Sequence, residues 1–294
     1  MPKSILDLIG NTPLVASKAL NTNPNVQVLF KLEGHNPGGS VKDRPALNMI
    51  REGLARGDFD TNTRLIEATS GNTGIGLAMV ASAYGLDIEL VMPENSTKER
   101  VQTMRAYGAK VTLTPADIGI EGARDYAINK VNNEGYKSFD QFGNNDNWKA
   151  HYKTTGPEIW EGTGQQITHF VSSMGTTGTI TGTSTYLKEK NPDVSIIGVQ
   201  PKEGSRIPGI RKWSPAYVPS IYNPKKVDDI LYVDEQESIT MAKRLAQEEG
   251  IFSGMSSGGA ATIALRLASE LKEGVIVSIV CDRGDRYLSS NLFD

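Results

Sequence analysis

The chain has 294 residues, 38% of them hydrophobic and 22% charged, and a net charge of −3. That length suits two lobes of ordinary domain size around a large core. With no basic face and no long run of one sign, the charge pattern excludes a nucleic-acid or anionic-membrane binder and leaves small molecules as the expected partners. Short β-branched apolar runs then alternate with helical patterns along the chain. Strands are predicted at 26–33, 64–69 and 88–93, a helix at 98–107, a strand at 110–114 and a helix at 121–133. Strands at 168–173, 195–200 and 230–233 follow, then helices at 235–249 and 260–271 and a last strand at 274–280. This alternation predicts an α/β fold with parallel sheets flanked by helices. Continuous apolar runs such as Ile88-Glu89-Leu90-Val91-Met92 suit strands covered on both faces.

The single cysteine, Cys281, excludes an intrachain disulfide. His35, His151 and His169 are scattered without zinc-type spacing, so no metal is expected. The N-terminal segment carries no secretory h-region and no apolar stretch reaches a membrane span, so the expected location is cytoplasmic. One irregular stretch, 202–227, has the length of a lid or binding loop. A lobe boundary is expected near 142–146, ahead of a helix carrying Trp148 and Trp160.

Four Gly/Ser/Thr/Asn-rich segments are read as loops between a strand end and a helix start, where free N–H groups and a positive helix end suit anions. The first is Asn36-Pro37-Gly38-Gly39-Ser40-Val41-Lys42-Asp43-Arg44, which places Lys42 at a helix start. A positive helix end drives a lysine toward the neutral amine that Schiff-base chemistry needs; a solvated surface lysine is the alternative. The second, Thr69-Ser70-Gly71-Asn72-Thr73-Gly74, offers hydroxyls and an amide for a carboxylate. Its glycine order is not the dinucleotide fingerprint. The third, Gly175-Thr176-Thr177-Gly178-Thr179, has the donor density of a phosphate seat, against plain turn chemistry. The fourth, Ser256-Ser257-Gly258-Gly259, is a functional serine or a routine helix cap.

As an ordered set these segments resemble the fold type II pyridoxal-phosphate (PLP) enzymes, the tryptophan synthase β family, and within it the cysteine synthases (O-acetylserine sulfhydrylases). The resemblance runs from Ile9-Gly10-Asn11-Thr12-Pro13-Leu14 to Arg286-Tyr287-Leu288. It implies two lobes, residues 36–145 and residues 1–35 plus 146–294, each with a mostly parallel twisted sheet flanked by helices. It implies that Lys42 carries the cofactor, Asn72 meets its phenolic oxygen, Gly175, Thr176, Thr177, Gly178 and Thr179 hold its phosphate, and Ser256 faces its ring nitrogen. Thr69, Ser70, Gly71 and Thr73, with Gln141, would grip the carboxylate of O-acetylserine. Further segments, His151-Tyr152-Lys153-Thr154-Thr155-Gly156-Pro157-Glu158-Ile159-Trp160, Met174-Gly175-Thr176-Thr177, Ile207-Pro208-Gly209-Ile210-Arg211 and Cys281-Asp282-Arg283-Gly284-Asp285-Arg286, resemble the B-isozyme branch. That branch implies a sulfur-donor pocket with Arg211 and Cys281, taking sulfide or thiosulfate, in a homodimer. For Cys281 the other reading is a small buried apolar residue.

Overall fold

The computed structural model describes residues 3–290 together with Leu292 and Phe293. In chain order the elements are β1 (Leu14–Ala16), β2 (Val26–Leu32), α1 (Asp43–Arg56), β3 (Leu65–Ala68), α2 (Asn72–Tyr84), β4 (Ile88–Pro93) and α3 (Lys98–Ala106). Then come β5 (Lys110–Thr114), α4 (Gly119–Glu134), β6 (Lys137–Ser138), α5 (Asn145–Lys153), α6 (Thr155–Gly162), β7 (His169–Ser173) and α7 (Gly178–Lys190). The chain closes with β8 (Ser195–Pro201), β9 (Asp229–Val233), α8 (Glu235–Glu249), α9 (Met255–Glu270) and β10 (Gly274–Val280). Two sheets result, ordered β1-β2-β10-β7-β8-β9 and β5-β4-β3-β6. β1 pairs antiparallel with β2, and the other pairings are parallel.

Each sheet is covered on both faces, and the side-chain alternation of a strand shows how. In the larger sheet Phe30, Val171 and Ile276 pack with Leu245 and Ile263 of α8 and α9. Their neighbours Leu29, Phe170 and Val277 turn the other way, onto Ile159 and Leu187 of α6 and α7. In the smaller sheet Leu65 and Leu90 meet Ile50 and Leu77, whereas Ile66 and Val91 meet Ala123 and Ala127 of α4. Strands buried on both faces read as continuous apolar runs, and all six residues of β4 are buried.

Three features differ from the sequence expectation. β1 and β6 are three and two residues long, too short to carry a period of two, and only their pairing defines them. The helix expected to carry both Trp148 and Trp160 is two helices, broken at Thr154. Pro157 has no N–H to give to Lys153, so an unbroken helix would lose that bond. The segment 256–259 is not a loop: α9 begins at Met255, with Gly254 as its cap. Its glycines serve contact with α8, since a Cβ on Gly258 would lie 2.1 Å from the Ser238 carbonyl oxygen.

β2, β10 and β7 are adjacent and parallel, so their carboxyl ends share one edge, where ligands bind in such sheets. The register Leu32↔Val280 sets the chain after β2 beside residues 281–283. There the Val41 N–H donates to the Cys281 carbonyl (2.8 Å), and Ser40 bridges to Asp282. The 202–227 stretch is irregular apart from single 3-10 turns at Pro215–Tyr217 and Pro224–Lys226, and is pinned by buried Ile207, Ile210 and Ile221.

Candidate active site

Lys42 immediately precedes α1, and Pro45 lies in the first turn, where no intrahelical donor is needed. Its pKa lies below the ordinary lysine value. Burial is the largest cause; Cys281, Asp282, Glu33 and Asp43 all act in the opposite sense. Behind Lys42, α1 is anchored by charge. Arg44 forks onto Glu33 (2.7 and 2.8 Å) and onto Glu158 (2.6 and 2.8 Å), and Lys31 reaches Glu158 at 2.7 Å. Thr12 donates to Glu33 (2.7 Å). Burial opposes ionisation of Glu33, yet Arg44, Thr12 and Lys31 hold its pKa at about 2.

The turn after β3 folds on itself through Thr69, whose hydroxyl oxygen accepts from the N–H groups of Gly71 (3.1 Å) and Gly74 (3.0 Å). Ser70 is exposed. Thr73 donates to Gln141 Oε1 (2.8 Å), and Gln141 Nε2 donates to the Ala68 carbonyl (3.0 Å). Gln141 itself sits on a turn held by buried Glu67, which accepts from Ser138 and from the N–H groups of Phe139, Asp140 and Gln141. Asn72 donates from Nδ2 to Asp282 (2.7 Å), a partner no local signal in the sequence points to.

Residues 174–177 link β7 to α7, and here the hydrogen bonding is incomplete. The N–H groups of Gly175, Thr176, Thr177 and Thr179 donate to no atom of the described residues. The buried Thr177 hydroxyl has no partner either. Thr177 holds a left-handed φ of 69°, a strained conformation for a β-branched residue that costs about 1–3 kcal/mol. Thr179 meets His151 Nε2 at 3.3 Å, and His151 is kept neutral with a pKa of about 3, through burial and then the charge of Arg44.

Ser256 is 3% exposed and lies inside the first turn of α9, so it is not the cap. Its hydroxyl stabilises charge on the Cys281 thiol, although burial dominates there and pushes that thiol up to about 11. Cys281 is therefore a neutral, partly buried thiol beside Lys42. Arg211 is fixed by its backbone, its N–H donating to the Met174 carbonyl (2.8 Å), while Trp213 donates to the Gly175 carbonyl (2.9 Å). The Arg211 guanidinium stacks over Trp213 at 5.3 Å and has no hydrogen bond or ion pair among the described residues.

These segments close into a ring. Ser40 and Val41 join residues 281–282, Asp282 joins Asn72, and Thr73 joins Gln141. The Gln141 carbonyl accepts from Asn147 (2.6 Å), which also donates to Thr176 (3.3 Å). Ser173, just before the 175–179 loop, donates to the Ser256 carbonyl (2.7 Å), and the next residue, Ser257, accepts from the Cys281 N–H (2.9 Å). All four of the Gly/Ser/Thr/Asn-rich segments lie on this ring. A cavity of about 840 Å³ lined by Asn23, Gln27, His169 and Glu273 lies at the other edge of the larger sheet and touches none of them.

Residues 5–282 match the family described as pyridoxal-phosphate dependent enzyme. The chain belongs to that family. It is 56% identical to cysteine synthase B of Pseudomonas aeruginosa over 292 residues, 99% of this chain and 97% of that one. It is 53% identical to cysteine synthase B of Escherichia coli over 285 residues, 97% and 94% of the two chains. The crystal structure of the cysteine synthase of Entamoeba histolytica superposes with a TM-score of 0.93 at 36% identity, covering 100% of this chain and 91% of that one. The fold is fold type II, and the cofactor is pyridoxal phosphate. The residues present fit it: a dianionic phosphate needs donors, and the 175–179 loop has four backbone N–H groups and a buried hydroxyl unused by the protein.

The sequence reading missed four residues that build this site: Asn147, His151, Asp282 and Arg286. His151 and the run containing Asp282 and Arg286 stood in segments quoted for their resemblance, but no periodicity or spacing marks what they touch.

Proposed function

We propose that the chain replaces the acetoxy group at Cβ of O-acetyl-L-serine with a sulfur nucleophile and releases acetate. Sulfide gives L-cysteine, the last step of cysteine biosynthesis, and thiosulfate gives S-sulfo-L-cysteine. The observation that carries this reading is a half-buried amine of lowered pKa, Lys42, on a ring that also holds a donor-rich anion loop and a separate hydroxyl-and-amide turn. The names of the relatives support the same chemistry.

Lys42 would hold the cofactor through its amine, the 175–179 loop its phosphate, and Asn72 its phenolic oxygen. Ser256 would face its ring nitrogen. Bound pyridoxal phosphate supplies the electron sink that acidifies the substrate's Cα proton. Thr69, Ser70, Gly71 and Thr73, with Gln141, grip the substrate carboxylate. Lys42 takes the Cα proton, because burial disfavours its ammonium form, and returns a proton after sulfur has added at Cβ. Ser256 offers a hydroxyl where a carboxylate would hold a charged ring nitrogen, which keeps the sink moderate and favours elimination at Cβ over racemisation. Residues 36–145 form the smaller lobe and residues 1–35 plus 146–294 the larger, a division supported by the two sheets. A cytoplasmic homodimer is the proposed state; no helix among the described residues is long and apolar enough to cross a membrane.

For the donor, the unspent Arg211 guanidinium favours thiosulfate, which is doubly charged and rich in acceptors. Cys281, a thiol that burial keeps neutral, would belong to the same donor site. Product analysis tests the reaction: cysteine is expected from O-acetylserine with sulfide, whereas preferential cystathionine from serine with homocysteine would contradict it. Arg211→Ala should impair the thiosulfate reaction far more than the sulfide reaction. Equal loss with both donors removes Arg211 from the donor site.

A further inference from the structure

Asn72 is held between two opposite charges. Arg286 Nη1 donates to its Oδ1 at 2.6 Å, and its Nδ2 donates to Asp282 Oδ2 at 2.7 Å. Turning the amide over would set NH₂ against a guanidinium and a carbonyl oxygen against a carboxylate, and both contacts would repel. The amide therefore has one orientation, with one N–H of Nδ2 left to give. Asp282 is fixed in turn by the Tyr287 hydroxyl at 2.7 Å.

The same guanidinium reaches the loop that carries Lys42, where Nη2 donates to the Gly38 carbonyl. Room for it comes from Gly39, which has φ +80° and whose Cβ would lie 2.4 Å from Arg286 Nη2. Arg286 is 8% exposed, and it follows β10 at the end of the chain. One side chain thus ties the Lys42 loop to the Asn72 turn, 214 residues away in sequence from Asn72.

We propose that Arg286 is a positioning residue: it fixes the orientation of the Asn72 amide so that an N–H, and not the carbonyl oxygen, is presented to the cofactor's phenolic oxygen. This rests on the reading of Asn72 as the contact to that oxygen. Without Arg286, Asp282 alone holds one end of the amide and the carbonyl end is free to swing.

The test compares the holoenzymes of wild type, Arg286→Met, Asn72→Ala and the double variant by the visible absorption of bound cofactor across pH. Arg286→Met should shift the band and its pH dependence in the same direction as Asn72→Ala, and the double variant should shift no further than Asn72→Ala alone. Arg286→Lys, which keeps the charge but cannot reach both acceptors in a fork, should fall between wild type and Arg286→Met. It also serves as the test variant if Arg286→Met does not fold. A wild-type spectrum in both Arg286 variants, with Asn72→Ala shifted, overturns the proposal and leaves the Asn72 reading intact. Additive shifts in the double variant overturn it as well. No shift in Asn72→Ala overturns the reading of Asn72 and the proposal with it.

Discussion

On one side of Lys42, the carboxylates of Glu33 and Glu158 meet Arg44, Lys31 and Thr12, and each charge has its partner inside the protein. On the other, the 175–179 loop leaves four N–H groups and the Thr177 hydroxyl without any. Both regions are buried and polar, and a sequence reader sees polar residues in each. The first is satisfied by the fold and so serves the fold: it seats the start of α1, and with it Lys42. The second is unsatisfied by the fold, and burying donors without partners costs stability unless something supplies the acceptors. Saturation separates scaffold from site here better than residue type does.

The sharpest way to break the comparison is at the residue between the two regions. Lys42→Ala should abolish turnover while the 175–179 loop still retains cofactor, measured as absorbance remaining after desalting; activity near wild type would contradict it. Next in size is the saturated side. Arg44→Met leaves Glu33 and Glu158 buried without their main partner and should cost about 3–5 kcal/mol in urea unfolding.

This cluster also carries a pH signature. Glu33 has its pKa lowered from 4.5 to about 2, so its contribution is fully present above 4.5 and is lost as pH falls through 2. Asp43, which burial pushes from 3.8 to about 7, has the opposite sign: its contribution is full below 3.8 and is lost as pH rises through 7. Glu33→Gln should therefore flatten the acid limb of the stability profile, read from urea midpoints between pH 5 and 2. The smallest effect lies on the unsaturated side. Thr177→Val should leave unfolding of the cofactor-free protein nearly unchanged and weaken cofactor retention by about 1.5–3 kcal/mol, seen by equilibrium dialysis. A cofactor-free protein destabilised as much as Arg44→Met would place Thr177 in the scaffold.

Most of the unsaturated side was legible in the sequence, because Gly, Ser, Thr and Asn crowd where strands end and helices begin. Strands such as β4 and β10 were legible for a related reason: each is a mostly apolar run in a sheet covered on both faces. The saturated side was not legible. Arg44 and Glu158 are 114 residues apart, and Asn72 and Asp282 are 210 apart, so only the parallel register of β2 and β10 and the docking of the two sheets bring such pairs together. The segment 256–259 was read as a loop and is helix, because glycines that serve helix packing look the same in sequence as glycines that serve turns. The break between α5 and α6 was readable from Pro157.

The central claim is that Lys42 is the amine that holds pyridoxal phosphate. Borohydride reduction of the holoenzyme, followed by proteolysis and mass mapping, fixes the cofactor to the lysine it occupies. The account predicts one labelled peptide, containing Lys42, and none from Lys42→Ala. A label on any other lysine of the wild-type protein would contradict it.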